Sequence, residues 1–188
     1  VHELDVDLLS ASAHKFNGPK GIGFLFIKKG TEIYPYIDGG SQESGLRAGT
    51  ENVASIVAMA VALKKNCKCI AENEQKLLML ENKLIDGLDV LKIDYIRNGA
   101  ERRIPGNISL SFKGHEGEVI LHRMDLMGIC ISTGSACDSI NTKLSHVISA
   151  IGVPDEYASG TIRISLGKDN KESDIEVILS ALNRILNQ

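Results

Sequence analysis

Lys15 has the neighbours that most suggest chemistry, because a hydroxyl at Ser12 and an imidazole at His14 stand within three residues of its amine. A lysine at the exit of a buried strand can be desolvated, which favours the neutral amine that forms Schiff bases. A hydroxyl, an imidazole and an amine together suit a phosphate beside an aldehyde. The alternative interpretation is a loop lysine whose ammonium group simply reaches water.

A glycine-rich segment over residues 39–52 leads directly into a predicted helix and carries Arg47 and Thr50. Backbone N–H groups at a helix start, a basic side chain and a hydroxyl make a candidate anion site. Glycines occur in any long loop, so this hypothesis depends on Arg47 and Thr50. Whether Arg47 is catalytic or structural stays open.

Cys137 and Arg163 are two further candidates. Cys137 follows three small residues, 134–136, so little bulk fixes its loop, and an accessible thiol there suits both attack on a substrate and delivery of a product. Arg163 alternates with apolar residues along a predicted strand, so it lies on the face away from the core, where its planar fork suits a carboxylate. An incidental loop cysteine and a solvated strand arginine are the alternatives.

Alternating strands and helices must position these residues, and they predict an α/β or α+β fold. Residues 22–28 are almost continuously apolar and predict a strand buried on both faces, whereas 107–112 and 161–166 alternate and predict half-buried strands. Residues 128–131 are a fourth candidate strand. Long helical periodicity begins at Val53, and a final helix is expected to open with a capping box at Ser173.

Composition narrows the classes of protein. The chain has 188 residues, enough for one domain or one domain and part of another, with 43% hydrophobic residues and a net charge of −3. That charge argues against a nucleic-acid binder, and no apolar run approaches the roughly 20 residues that span a bilayer. The four cysteines lack zinc-site spacing, so we expect no metal site and reduced thiols in a cytosol-like compartment.

Four motifs in order carry a family resemblance: SAHKFNGPKGIG at 12–23, GLRAGTEN at 45–52, STGSAC at 132–137 and IRISLG at 162–167. Together they resemble the cysteine desulfurases of the class-V aminotransferase family, the branch that includes NifS and IscS. The resemblance implies a fold-type I, pyridoxal 5'-phosphate (PLP)-dependent transferase, of which this chain is the C-terminal part. It would contain the last strands of the large-domain sheet and an α+β small domain.

The resemblance also implies a role for each matching residue. Lys15 matches the lysine that binds PLP covalently, and Ser12 and His14 match residues that hold the PLP phosphate. Thr50 matches a threonine that reaches the phosphate in the neighbouring subunit, which implies a homodimer with shared sites. Cys137 matches the nucleophile that carries sulfur as a persulfide, and Arg163 matches the arginine that binds the substrate carboxylate.

The activity implied by the resemblance is conversion of L-cysteine to L-alanine, with sulfur passed to an acceptor or scaffold protein for iron–sulfur cluster assembly or tRNA thiolation. The expected location is cytoplasmic, with the mitochondrial matrix as an alternative. Two other functions stay open. One is a selenocysteine lyase or cysteine sulfinate desulfinase on the same fold, and the other is a non-catalytic module that docks sulfur acceptors.

Family members carry a long N-terminal portion that holds further cofactor contacts. We therefore expect a fragment that is inactive alone, with residues 1–66 as the remnant of the large PLP-binding domain and residues 67–188 as the small domain that carries the cysteine loop.

Overall fold

The computed structural model describes residues 1–133 and 145–187. It divides the chain into two compact units, Val1–Ala71 and Glu72–Gln188. The division falls five residues after the boundary expected from the sequence, which lay between residues 66 and 67. Cys137 lies outside the described residues.

The first unit is built on an antiparallel pair of strands. Strand β1 (Leu8–Ser12) pairs with β2 (Gly23–Ile27), with Ser10 opposite Leu25. A 3-10 helix, Ala13–Phe16, follows β1 directly. Short 3-10 turns also occur at His2–Leu4 and Gln42–Gly45, and helix α1 (Val53–Lys68) completes the unit. Asn52 caps α1, because its Oδ1 accepts a hydrogen bond from the N–H of Ser55 at 3.2 Å.

The first unit buries very little. Among its residues whose burial is described, only Ala13 and Ala48 are buried. Strand β2 was expected to be buried on both faces, and that expectation is wrong, since Leu25 is 50% exposed. A two-stranded sheet has no neighbouring strands or second layer to cover it, so its apolar side chains stay accessible. The apolar stripe of α1 is exposed as well, at Val53, Val57 and Val61.

The second unit is a four-stranded antiparallel sheet with helices against one face. Its strands stand in the order β3-β4-β6-β5. They are β3 (Tyr95–Arg97), β4 (Asn107–Phe112), β5 (Ser132–Thr133) and β6 (Thr161–Ser165). Its helices are α2 (Ile70–Val90), α3 (Gly117–Leu126), α4 (His146–Ala150), α5 (Asp155–Ala158) and α6 (Glu172–Leu186).

The core of the second unit lies between the sheet and the helices α2, α3 and α6. Strands β4 and β6 supply Ile108, Leu110, Phe112, Ile162 and Ile164, and the helices supply leucines, isoleucines and Met124. Each large apolar side chain that becomes fully buried contributes about 1.5–3 kcal/mol. The alternating patterns at 107–112 and 161–166 predicted this arrangement, and the structure confirms which residues face inward.

Two local predictions are wrong. Residues 128–131 are not a strand, because Gly128 adopts φ +76° and the N–H of Ile129 bonds back to the carbonyl of Met124 at 2.9 Å, which closes the end of α3. The short strand β5 starts after them. The final helix begins before Ser173, and its first turn is closed by the carboxylate of Asp174, which accepts the N–H of Lys171 at 3.0 Å.

The mixture of strands and helices gives the α/β class predicted from the sequence. Within residues 1–133 and 145–187, no helix combines the length and hydropathy needed to cross a bilayer.

Candidate functional site

The structure places Ser12, His14 and Lys15 together at the end of β1. Ser12 is the last residue of the strand, and His14 and Lys15 belong to the 3-10 helix that follows it. All three are exposed. The segment therefore presents a hydroxyl, an imidazole and a primary amine on one short turn.

Ala13 holds this turn in place. It is fully buried between the exposed residues on either side, its N–H donates to the carbonyl of Ile22 at 3.0 Å, and its carbonyl accepts the N–H of Gly18 at 2.8 Å. A Cβ atom at Gly18 would stand 2.9 Å from that of Ala13, so only glycine lets the chain return this closely. The Lys15 backbone is consequently fixed, although its side chain is open.

Helix α1 ties down the other end of the same turn. Asn66 donates from Nδ2 to the carbonyl of Phe16 at 2.7 Å, and its Oδ1 accepts from Nδ2 of Asn17 at 3.2 Å. Asn17 has φ +65°, a left-handed conformation that asparagine tolerates better than most residues. The role of Asn66 could not be predicted from the sequence, because a single asparagine in a charged helical stretch carries no pattern.

Thr50 and Arg47 lie on the exposed segment that precedes α1. Arg47 makes a long 3.5 Å contact from Nη1 to the carbonyl of Gly49. The cap from Asn52 already occupies the N–H of Ser55, and the N–H of Val53 bonds to the carbonyl of Glu51. An anion at this helix start would therefore depend mainly on the side chains of Thr50 and Arg47.

Thr50 and Lys15 are not in contact among the described residues of the first unit. The tie to the Lys15 turn is at Asn66, thirteen residues into α1 from Val53, which is about 20 Å along the helix axis. Thr50 precedes the opposite end of α1, three residues before Val53.

Arg163 lies in the middle of β6 on the face opposite to that of Ile162 and Ile164, as the alternation predicted. It stands between two serines on neighbouring strands, Ser109 on β4 and Ser132 on β5. Its Nε is buried and has no hydrogen-bond partner among the described residues. A donor left unpaired in this way is available to an anion.

Asn98 extends this row by one further position. Its N–H donates to the carbonyl of Ser109 at 2.9 Å, which continues the β3-β4 ladder by one residue. Asn98, Ser109, Arg163 and Ser132 therefore lie side by side across the sheet, and we call them the polar row. Asn98 and Ser109 could not be singled out from the sequence, because neither belongs to a family motif and β3 is too short to show alternation.

A hydrogen-bond network supports the polar row from beneath α5. Asn98 Nδ2 donates to Ser109 Oγ at 3.1 Å and to Ser111 Oγ at 2.8 Å. Ser111 in turn lies 2.7 Å from Thr161 Oγ1, whose own proton goes to the carbonyl of Ala158. Asn98, Ser111 and Thr161 are all buried, so this part of the sheet is a fixed polar layer.

Comparison with known proteins identifies the family. The family model described as "Aminotransferase class-V" matches residues 1–178. The chain belongs to the class-V aminotransferase family, whose members are PLP-dependent.

Among its relatives, a protein named cysteine desulfurase IscS from Clostridium botulinum is 45% identical over 191 aligned residues, covering 100% of this chain and 48% of the relative. A cysteine desulfurase IscS from Dictyoglomus turgidum is 48% identical, covering 99% and 48%. A solved structure called a NifS-like protein superposes with a TM-score of 0.86 at 38% identity, covering 100% of this chain and 48% of that one. The chain spans about half the length of the curated relatives it matches, and its fold is that of the C-terminal part of a fold-type I enzyme.

The residues of the Lys15 turn fit PLP by their chemistry. The cofactor offers an aldehyde, for which a primary amine is the partner, and a phosphate, for which a hydroxyl and an imidazole are suitable donors. All three side chains are accessible, and the backbone between them is held by Ala13.

Proposed function

We propose that the protein to which this chain contributes is a PLP-dependent cysteine desulfurase that converts L-cysteine to L-alanine and holds the sulfur on Cys137. Support comes chiefly from the identity of 45% or more to proteins named cysteine desulfurase IscS over nearly the whole chain. The anchored turn that presents Lys15 and the unpaired donor of Arg163 are compatible with that activity.

In this proposal Lys15 binds PLP through its amine and, once released, moves a proton. Ser12 and His14 hold the phosphate, and Thr50 reaches the phosphate of a partner subunit in a homodimer. PLP, when bound, withdraws electrons from the carbon skeleton of the substrate. No hydrogen bond joins Thr50 to Lys15 among the described residues, which is compatible with a shared site.

Cys137 and Arg163 act on the substrate itself. The guanidinium of Arg163 pairs with the carboxylate of L-cysteine and orients it. The thiolate of Cys137 forms an S–S bond to the substrate sulfur as the Cβ–S bond breaks, and the bonding electrons stay with carbon, which a proton then completes as L-alanine. Sulfur remains on Cys137 as a persulfide, ready for an acceptor or iron–sulfur scaffold protein.

The proposal extends to organisation and location. We assign the first unit to the large PLP-binding domain and the second to the small domain, and we expect the chain alone to bind PLP weakly and turn over little. A reducing, cytosol-like compartment follows from the lack of a disulfide pattern in the sequence. These points rest on the family and on composition.

The decisive experiment is detection of sulfur on Cys137. The longer protein to which this chain contributes is incubated with PLP and L-cysteine, and peptide mass spectrometry looks for one added sulfur atom. We expect the label on the Cys137 peptide, with loss on Cys137→Ala and retention on the matched control Cys130→Ala, which removes an exposed cysteine. A label that survives Cys137→Ala would contradict the assignment.

Cofactor binding is tested separately by borohydride reduction and peptide mapping. We expect PLP to be trapped on Lys15, and Lys15→Ala to abolish the adduct while Lys20→Ala, an exposed lysine nearby, keeps it. Parallel incubation with L-selenocysteine and L-cysteine sulfinate distinguishes the sister activities. If either compound is turned over in preference to L-cysteine, that compound is the substrate. If the protein binds a sulfur acceptor but forms no persulfide, the non-catalytic docking module is favoured.

A further inference from the structure

We propose that Ser109 is a second carboxylate-binding residue beside Arg163 and that Asn98 is the positioning residue that aims its hydroxyl. This inference rests on the proposed function, because it takes the carboxylate of an amino acid as the ligand at Arg163. Neither residue belongs to the four family motifs, and the polar row would serve to bind this carboxylate.

The hydrogen bonds around Asn98 set the direction of the Ser109 hydroxyl. Asn98 Oδ1 is buried and accepts nothing among the described residues, so the described side-chain bonds of this amide are the two donations from Nδ2. Ser109 Oγ is therefore an acceptor toward Asn98, and its own proton points elsewhere. The backbone of Asn98 is held as well, because its N–H donates to Ser109 and its carbonyl accepts from Nε of Arg103 at 3.2 Å.

Ser111 also accepts a hydrogen bond from Asn98, but the proton of its own hydroxyl has a partner within the protein. It accepts from Asn98, and its proton passes to Thr161, whose proton passes to the carbonyl of Ala158. This chain of donors is closed within the protein. The hydroxyl of Ser109 has no such acceptor among the described residues, which leaves its proton available.

The neighbour of Ser109 on β6 is Arg163, directly opposite in the register. Side chains of opposed residues on one face have Cβ atoms about 4.5–5.5 Å apart. Ser109 thus offers a hydroxyl proton next to a guanidinium whose Nε is buried and unpaired. Two adjacent donors with no internal acceptor are suited to a carboxylate, which only accepts.

The exposure of the row favours a ligand over a structural role. Ser109 and Arg163 are half-buried, whereas Ser111 and Thr161 are buried under α5. A ligand can therefore reach Ser109 and Arg163, whereas Asn98, which holds the Ser109 hydroxyl, is buried. A small carboxylate can bind at Ser109 and Arg163 without disturbing Asn98.

Nuclear magnetic resonance of the Nε–H group of Arg163 tests this proposal without any catalysis. The full chain is labelled with ¹⁵N, and the signal is assigned by its loss in Arg163→Lys. L-Alanine is then titrated, with L-alaninamide, which lacks the carboxylate, as the control ligand. We expect a saturable shift of the Arg163 signal with L-alanine only.

Four variants separate ligand binding from structure. Ser109→Ala should weaken L-alanine about tenfold to a hundredfold, the effect of one lost hydrogen bond to a charged group. Ser109→Thr keeps a hydroxyl and should restore binding to within about twofold. Asn98→Asp turns the Ser109 proton back toward position 98 and should weaken binding at least as much as Ser109→Ala. The matched control Ser111→Ala loses a bond to the same amide but leaves the Ser109 hydroxyl in place, so it should lower thermal stability and weaken L-alanine clearly less than Ser109→Ala does.

Each outcome decides the proposal. It fails if Ser109→Ala binds L-alanine as tightly as the parent chain, or if Ser111→Ala weakens binding equally, since the effect would then be general loosening. If the Arg163 Nε–H signal does not shift at high L-alanine concentration, neither the polar row nor Arg163 binds the carboxylate, and both assignments fail. A normal shift together with no persulfide on Cys137 would leave the row intact and reject the proposed reaction instead.

Discussion

Glu81, a carboxylate only 2% exposed, accepts the backbone N–H of Gly106 at 2.7 Å through Oε2. Its other oxygen pairs with Arg97 on β3. One side chain of α2 therefore fixes both the edge strand and the connection that leads into β4. Since Asn98 directly follows β3 and β4 carries Ser109, this partly buried pair also helps to fix the position of the polar row.

Removing Glu81 should destabilise the second unit strongly. Glu81→Ala leaves the N–H of Gly106 and the guanidinium of Arg97 without their acceptor, and breaking a buried pair in this way costs about 3–5 kcal/mol. Urea denaturation measures the loss as a lower midpoint. Glu74→Ala, an exposed residue of the same helix, serves as the control and should change stability by less than about 0.5 kcal/mol. Equal urea midpoints for the two variants would contradict the structural role given to Glu81.

Tyr95 should make stability fall at high pH. Burial, and next a hydrogen bond to Asp89, raise the pKa of Tyr95 to about 12. In the unfolded chain a tyrosine ionises near pH 10, so the native state binds more protons than the unfolded state between about pH 10 and 12. The stabilising contribution of Tyr95 is complete below about pH 10 and is lost as the pH rises through about 12.

Denaturation at pH values on both sides of about 10 checks this effect. Tyr95→Phe should flatten the alkaline decline, and absorbance titration should lose its last tyrosine ionisation. Tyr36→Phe, which removes a tyrosine that is 99% exposed, should leave the decline in place. An unchanged alkaline slope in Tyr95→Phe would refute the explanation.

Gly160 should tolerate no side chain. A Cβ atom there would overlap the carbonyl oxygen of Phe112, and the carbonyl of Gly160 accepts the N–H of that same residue at 3.2 Å. Gly160→Ala must therefore push β4 away from the start of β6, at a cost of about 1–3 kcal/mol measured by thermal unfolding. Gly167→Ala is the control, because its nearest neighbour would be 3.9 Å away. Comparable melting temperatures for the two variants would show that the strands can adjust.

Mixing two defective variants tests whether a site is shared between subunits. If Thr50 acts on the phosphate in the partner subunit, Lys15→Ala and Thr50→Ala each impair PLP binding at every site of their homodimers. In mixed dimers one site then regains both residues, so about a quarter of all sites should bind PLP normally after exchange of subunits. Borohydride trapping on Lys15 measures the recovery. If mixing restores nothing, Thr50 acts within its own chain or not on the cofactor.

Alternation along the chain predicted the second unit well, because β4 and β6 each turn their apolar face toward the core helices α2, α3 and α6. The placement of Arg163 followed from that pattern alone. Residues whose position depends on distant partners were missed. Asp94, for example, had no assigned partner in the sequence, yet it accepts a hydrogen bond from Tyr157 at 2.8 Å across 63 residues. Cys137 lies outside the described residues, so its role rests on the family motif.

The errors have physical causes as well. The run at 22–28 is apolar enough for a strand covered on both faces. Apolar composition alone does not show whether other elements of the same unit cover those faces. The start of α6 was misplaced because Ser173 and Glu176 match a capping pattern that Lys171 and Asp174 satisfy first, through a backbone N–H. Capping patterns are recognised from side-chain types, whereas the start of this helix depends on the backbone N–H of Lys171, which any residue type except proline could supply.

The two buried alanines of the first unit imply very uneven protection of backbone amides from hydrogen exchange. Amides of β1, β2 and α1 lie beneath almost no packed side chains, so small local openings suffice to expose them to solvent. Amides of β4 and β6 lie over a core of leucine, isoleucine and phenylalanine and exchange only when the whole second unit opens. The turn that presents Lys15 therefore belongs to the unit with the lower free energy of opening, and a molecule that covers that unit would slow its exchange.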